Sequence, residues 1–204
     1  MAVAHGVSAI GLVSAMPSGP GVIGDDLIAR IARSVPPTTA TFLLTALQVA
    51  SDIARQHAQC RTSAIQLVDA LPEQQLRELR ALLPGIQLVQ VIHVTGEESV
   101  AQSRAVAPLV DTILLDSGNP ALRIKELGGT GRTHDWNLSR RICRESAVPV
   151  VLAGGLNPSN VAAALQDVAP FGVDICSGVR TDGHLDAGKL HRFLAAARVQ
   201  PLTS

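Results

Sequence analysis

Short aliphatic runs and amphipathic stretches alternate along most of the chain, separated by clusters of glycine and proline. Continuous apolar runs suit strands covered on both faces, whereas leucines and valines returning every third or fourth position suit helices. Strands are predicted over Ser8–Ser14, Thr41–Ala46, Ser63–Val68, Ile86–Val94, Thr112–Leu115, Val148–Ala153 and Val173–Cys176. Helices are predicted over Asp25–Ser34, Val49–Gln59, Pro72–Leu83, Glu97–Pro108, Asn137–Ser146, Pro158–Val168 and Asp186–Ala197. The Asp25-Asp26 pair is expected to cap the first of these and Asp135 the fifth, because a carboxylate satisfies amides left unpaired at a helix start. Leu76, Leu79 and Leu83 mark one helical face, which Pro84-Gly85 terminates. Ala2 to Gly6 reads as the last turn of a helix with its glycine stop, and the loop holding Pro17, Gly19, Pro20, Gly21 and Gly24 as irregular.

Strict alternation of buried strands with helices implies an α/β fold with a parallel sheet, either open and doubly wound or closed as a (β/α)8 barrel. Polar and glycine positions decide between the two. They follow several successive strands (Ser14, Asp69, Asp116, Gly154, Ser177), as in a barrel whose site is built from many loops, whereas an open sheet gathers them at one switch point. The expectation is one (β/α)-barrel domain over residues 1–204, of TIM-barrel type. It has seven predicted strands and opens after the point where a first strand belongs. Two exposed parallel edges and self-association are expected to result.

Charge narrows the choice of partner. Lysine plus arginine balance aspartate plus glutamate at 17 each, and aromatic residues make up 2%, so neither the basic footprint nor the stacking platforms of a nucleic-acid binder are present. No apolar run reaches transmembrane length and no signal peptide is apparent. Cys60, Cys143 and Cys176 follow no metal or disulfide spacing, nor do His5, His57, His93, His184 and His191 form a metal motif, which points to a reducing cytoplasm and no metal. A small phosphorylated molecule is the expected ligand.

The candidate chemistry lies at strand ends. Asp116 closes the apolar run Thr112–Leu115 and opens a long loop (Ser117, Gly118, Asn119, Pro120, then Gly128, Gly129, Gly131) that could fold over a ligand. It is either a partly desolvated general acid or a cap for the next helix. Gly154-Gly155 follows a buried strand, with Asn157 near the start of a helix whose amides can receive phosphate. Ser177-Gly178 repeats the pattern one unit later. Two such loops form a phosphate cup in many barrels, although each alone is a common turn. Asp174 and Cys176, two apart on one strand, are expected to share a face. His134 beside Asp135, and Lys125 and Arg132, read as solvated loop polarity.

The stretches LLDSGNPALRIKELGGTGRTHDW, VPVVLAGGLNP and FGVDICSGVR resemble the phosphoribosylanthranilate isomerase family of tryptophan biosynthesis, and the similarity covers nearly the whole chain. The resemblance implies a (β/α)8 barrel that uses no cofactor for an Amadori rearrangement. An acid protonates the ribose ring oxygen, the ring opens to a Schiff base, and a base removes the C2′ proton. Asp116 matches the family's acid, Gly154, Gly155, Ser177 and Gly178 match positions around the substrate phosphate, and Asp174 matches an acidic residue at the barrel mouth. Four positions depart from the pattern. The first-strand cysteine that serves as base precedes this chain's first residue. The arginine that meets the anthranilate carboxylate has no counterpart among Pro17, Ser18, Gly19, Pro20 and Gly21. Asp69-Ala70 replaces His-Gly, and Arg180 replaces a glutamate. Cys176, which stands where the family has serine, is either a substitute base or a neutral exchange at a packed strand end. A barrel that binds a phosphorylated sugar-like ligand without catalysis is the alternative.

Overall fold

The computed structural model describes residues 1–17, 19, 21–118, 127 and 133–198. Seven parallel strands form one sheet whose spatial order repeats the chain order: β1 (Ala9–Val13), β2 (Ala40–Thr45), β3 (Ala64–Leu67), β4 (Gln87–His93), β5 (Thr112–Asp116), β6 (Val150–Leu152) and β7 (Gly172–Val173). The helices α1 (Asp25–Ser34), α2 (Ala50–Cys60), α3 (Glu73–Leu82), α4 (Glu98–Val106), α5 (Trp136–Glu145), α6 (Val161–Val168) and α7 (Ala187–Arg198) follow the strands in turn. Among the described residues, β1 and β7 are the terminal strands, and each pairs on one side within this sheet.

Alternation along each strand sorts side chains between two cores. Positions facing the helices, among them Ile65, Leu67, Leu88, Ile113, Leu115 and Leu152, join one large buried cluster with the leucines and valines of the helices. Positions facing the other way, including Phe42, Leu44, Val89, Val91, Leu114 and Val151, meet one another across the concave face. This second cluster fills the concave side of the sheet. Gln90 lies buried on the helix side of β4 and donates its amide to the carbonyls of Leu67 and Asp69, at 3.1 and 2.9 Å. It thereby fixes where β3 ends.

Several expectations need correction. The first helix is capped by Gly24, not by the aspartates; Asp25 and Asp26 instead accept from Gln56 and Gln59, tying α1 to α2. Asp135 does cap α5, accepting from the Asn137 amide at 2.8 Å. Beyond Val106 the fourth helix tightens into a 3-10 turn over Ala107–Leu109, where Pro108 has no N–H to continue an α-helix. The sixth begins at Val161, not Pro158, because Asn157 and Asn160 close a turn on each other: Asn160 Oδ1 accepts from the Asn157 amide at 2.8 Å, and Asn157 Oδ1 from Ser159 at 2.9 Å. The last strand leaves the sheet at Asp174, so Asp174 and Cys176 belong to the loop and not to β7. A small antiparallel hairpin, β8 (Arg180–Thr181) with β9 (His184–Leu185), was not expected.

Candidate active site

The carboxyl ends of β4 to β7 converge on the concave side. Asp116 ends β5, is buried, and accepts from its neighbour's amide, Ser117 N–H, at 2.7 Å. Directly across the ladder stands His93, the register partner of Asp116 on β4. Its Nε2 lies 3.0 Å from the Val68 carbonyl, which only accepts, so Nε2 donates, and the buried Nδ1 has no hydrogen-bond partner. Sequence reading had set His93 aside for want of metal spacing. The available signal was alternation, since Val89, Val91 and His93 share the inward face.

Asp174 hangs from the sheet by its amide, which donates to the Leu152 carbonyl at 2.9 Å. Its side chain reaches water in the mouth, yet protein surrounds it closely. Desolvation first and the Asp116 charge second push its carboxyl up to about 6, against a pull from the Ile175 amide. Cys176 is half-buried two residues on, within the field of both Asp174 and Asp116. Desolvation raises its pKa most, the Arg180 guanidinium opposes, and both carboxylates add to the rise. The three residues thus come together even though only β5 presents its member from a regular strand.

His134 packs against the same corner. Its Nε2 is 2.7 Å from Ser139 Oγ, which in turn donates to the Asp135 carbonyl; Nε2 is therefore the donor and the buried Nδ1 is unprotonated. Burial lowers its pKa, and the charges of Asp116 and Asp135 oppose this. A side chain at Gly154, whose φ is +79°, would lie 2.9 Å from Ser117 N and 3.0 Å from His134 Nδ1. Only glycine lets the β6 loop pass this close.

The two loops singled out for phosphate touch each other. A Cβ on Gly178 would fall on the Leu156 carbonyl, so the 3-10 turn Ser177–Val179 lies flush against Gly155–Asn157. Asn157 shapes this wall: its amide is held by Asn160 and its side chain by Ser159. Asn119, Pro120, Lys125, Gly128, Gly129, Gly131 and Arg132 lie outside the described residues. Asp69 is buried and accepts from the Ala70 amide at 2.9 Å. Among the described residues no group of three or more His, Cys, Asp or Glu is placed to hold a metal, and no helix is long and apolar enough to cross a membrane. A recess of about 410 Å³ between α5 and α6, beside Arg140, Cys143 and Asp167, lies among the helices and away from these strand ends.

The raised carboxyl makes a pH prediction. In the unfolded chain Asp174 titrates near 3.8 and in the folded one near 6, so its contribution to stability is fully present below the lower value and is lost as pH rises through the upper one. Asp174→Asn removes that slope. Thermal melts from pH 4 to 7 are expected to show the variant gaining on the parent by about 2 °C at most, since water screens an exposed carboxylate. A difference independent of pH would refute the assignment.

The family model for N-(5'-phosphoribosyl)anthranilate (PRA) isomerase matches residues 29–196. The chain belongs to the phosphoribosylanthranilate isomerase family. It is 32% identical over 195 residues to N-(5'-phosphoribosyl)anthranilate isomerase of Methanocella arvoryzae, covering 95% of this chain and 89% of that protein. The phosphoribosyl anthranilate isomerase of Thermotoga maritima superposes with a TM-score of 0.81 at 27% identity, covering 96% of this chain and 90% of that one. Another isomerase structure, in complex with reduced 1-(o-carboxyphenylamino)-1-deoxyribulose 5-phosphate, matches at 25% identity with a TM-score of 0.79 over 96% of this chain and 90% of its own. The family fold is the TIM-barrel type read from the sequence, represented here by seven strands.

Proposed function

We propose that the chain catalyses the isomerisation of N-(5'-phosphoribosyl)anthranilate to 1-(o-carboxyphenylamino)-1-deoxyribulose 5-phosphate, a step of tryptophan biosynthesis. The observation that carries this is the pairing of Asp116 with Asp174 in one mouth, beside two glycine loops whose backbones pack directly against each other. Asp116 delivers a proton to the ribose ring oxygen as the C1′–O bond breaks and the nitrogen lone pair forms the Schiff base. A base then removes the proton from C2′; the C2′–H electrons form the C1′=C2′ double bond and the C1′=N pair returns to nitrogen, giving the enolamine, which becomes the ketone as C1′ takes up a proton and the C2′ hydroxyl loses one. Main-chain donors of Gly154–Leu156 and Ser177–Gly178 receive the phosphate at the outer edge of the seam where the two loops meet. The terminal strands β1 and β7 support a homo-oligomer.

The reading of Cys176 as the base does not fit its surroundings. Burial and two carboxylates hold the thiol protonated, whereas Asp174 is ionised above about 6 and faces the same mouth. Asp174 is the better acceptor. Turnover, followed by loss of the substrate's fluorescence at pH 7.5, is expected to survive Cys176→Ser and to collapse in Asp174→Asn. The reverse pattern would restore the cysteine. An inactive parent that still binds the reduced product analogue would support the binding-only barrel.

A further inference from the structure

We propose that Arg180 holds the aromatic carboxylate of the substrate and so sets specificity for it, an inference that rests on the isomerase reading above. That substrate carries two anionic groups, a phosphate at one end and a benzoate carboxylate at the other. The glycine loops offer neutral donors suited to the first. The second, on a flat aromatic ring, calls for a cation at the mouth but away from the cup.

Among the described residues, every other arginine and lysine lies on a helix, except Arg61, which follows α2. Arg180 does not. It leaves the turn Ser177–Val179, opens β8, and is anchored in the hairpin, where Nη1 donates to the Gly183 carbonyl at 2.7 Å and the Lys189 ammonium holds its carbonyl at 2.7 Å. Its positive charge opposes the rise of the Cys176 thiol, so the guanidinium lies beside that residue at the mouth. From there it reaches across the opening between β7 and β1: a Cβ on Gly21 would be 3.5 Å from Nη2. Gly21 belongs to the loop after β1, which is rich in glycine and proline and was read as lacking any cation; the cation arrives from the far edge of the sheet. No carboxylate among the described residues pairs with Arg180, although Asp116 and Asp174 are in the same mouth. A half-buried guanidinium without an ion-pair partner, anchored through one nitrogen, keeps the planar donor edge that a carboxylate meets with two parallel hydrogen bonds.

The test needs no turnover. Dissociation constants are measured by calorimetry for reduced 1-(o-carboxyphenylamino)-1-deoxyribulose 5-phosphate and for its counterpart with phenylamino in place of o-carboxyphenylamino. The parent is expected to prefer the carboxylated compound by about 10- to 100-fold. Arg180→Gln should erase that preference by weakening the carboxylated compound alone, and Arg180→Lys should keep part of it. Unchanged affinity for the other compound shows that the variant is folded and its phosphate cup intact. Equal loss for both compounds would assign Arg180 to the phosphate end and overturn the proposal, as would a preference that survives Arg180→Gln. If the parent binds neither compound, the isomerase reading itself fails and takes this inference with it.

Discussion

Replacing Asp116 with asparagine should lower kcat/KM for phosphoribosylanthranilate isomerisation by about 10² to 10⁴-fold, the span typical of losing a positioned general acid. Asparagine keeps the carbonyl oxygen that accepts from Ser117 N–H at 2.7 Å, and it fills the same volume at the tip of β5. The fold should therefore be unchanged while the proton to be delivered is gone. The variant also removes a charge that raises Asp174, so the Asp174 carboxyl should titrate lower than about 6. A rate within about threefold of the parent would exclude Asp116 as the acid.

The second large effect is on stability. In Gly178→Ala the new methyl falls on the Leu156 carbonyl, with Asn157 Cα 3.1 Å away. Both obstacles are backbone, so neither can turn aside as a side chain would. Separating the loops is expected to cost about 3 kcal/mol and to part the two loops proposed to receive the phosphate. Gly183→Ala is the comparison that isolates crowding from backbone preference. Gly183 has φ +76° with nothing within 4 Å of its Cβ position, so that variant should lose only about 1–2 kcal/mol, the conformational penalty alone. Urea unfolding of both variants measures the gap. Similar losses would mean that the loops give way easily and that close contact is not what fixes them.

These expectations draw unequally on sequence and structure. Aliphatic runs between glycines and prolines placed β1 to β6 within two residues, because burial on both faces leaves little choice of side chain. The burial of Asp116 at the tip of β5 was legible for the same reason, since it directly ends such a run. Local side-chain bonding was harder to read. Asn157 and Asn160 hold a turn where the pattern continued a helix, and the hairpin after Arg180 has too few apolar residues to register. Its signal was Asp182-Gly183, both with positive φ (50° and 76°), the dipeptide that favours a two-residue hairpin. The candidate role of Arg180 was not legible, since its approach to Gly21 depends on two chain ends of a sheet meeting in space. Nor did spacing reveal that Cys176 lies among carboxylates that keep its thiol protonated.

The agreement between strand order in space and strand order in sequence also bears on how the chain assembles during synthesis. Each new strand finds its partner in the one made just before it, so loop closure never spans more than one βα unit. Among the described residues the sheet adds strands at one advancing edge, from β2 to β7, and each such edge is covered as the next unit emerges from the ribosome. Among these residues the outer edge of β1, once it has paired with β2, takes no strand of this sheet. The assembling chain therefore shows newly made surface in one place at a time, which limits the aggregation that parallel sheets with distant pairings invite.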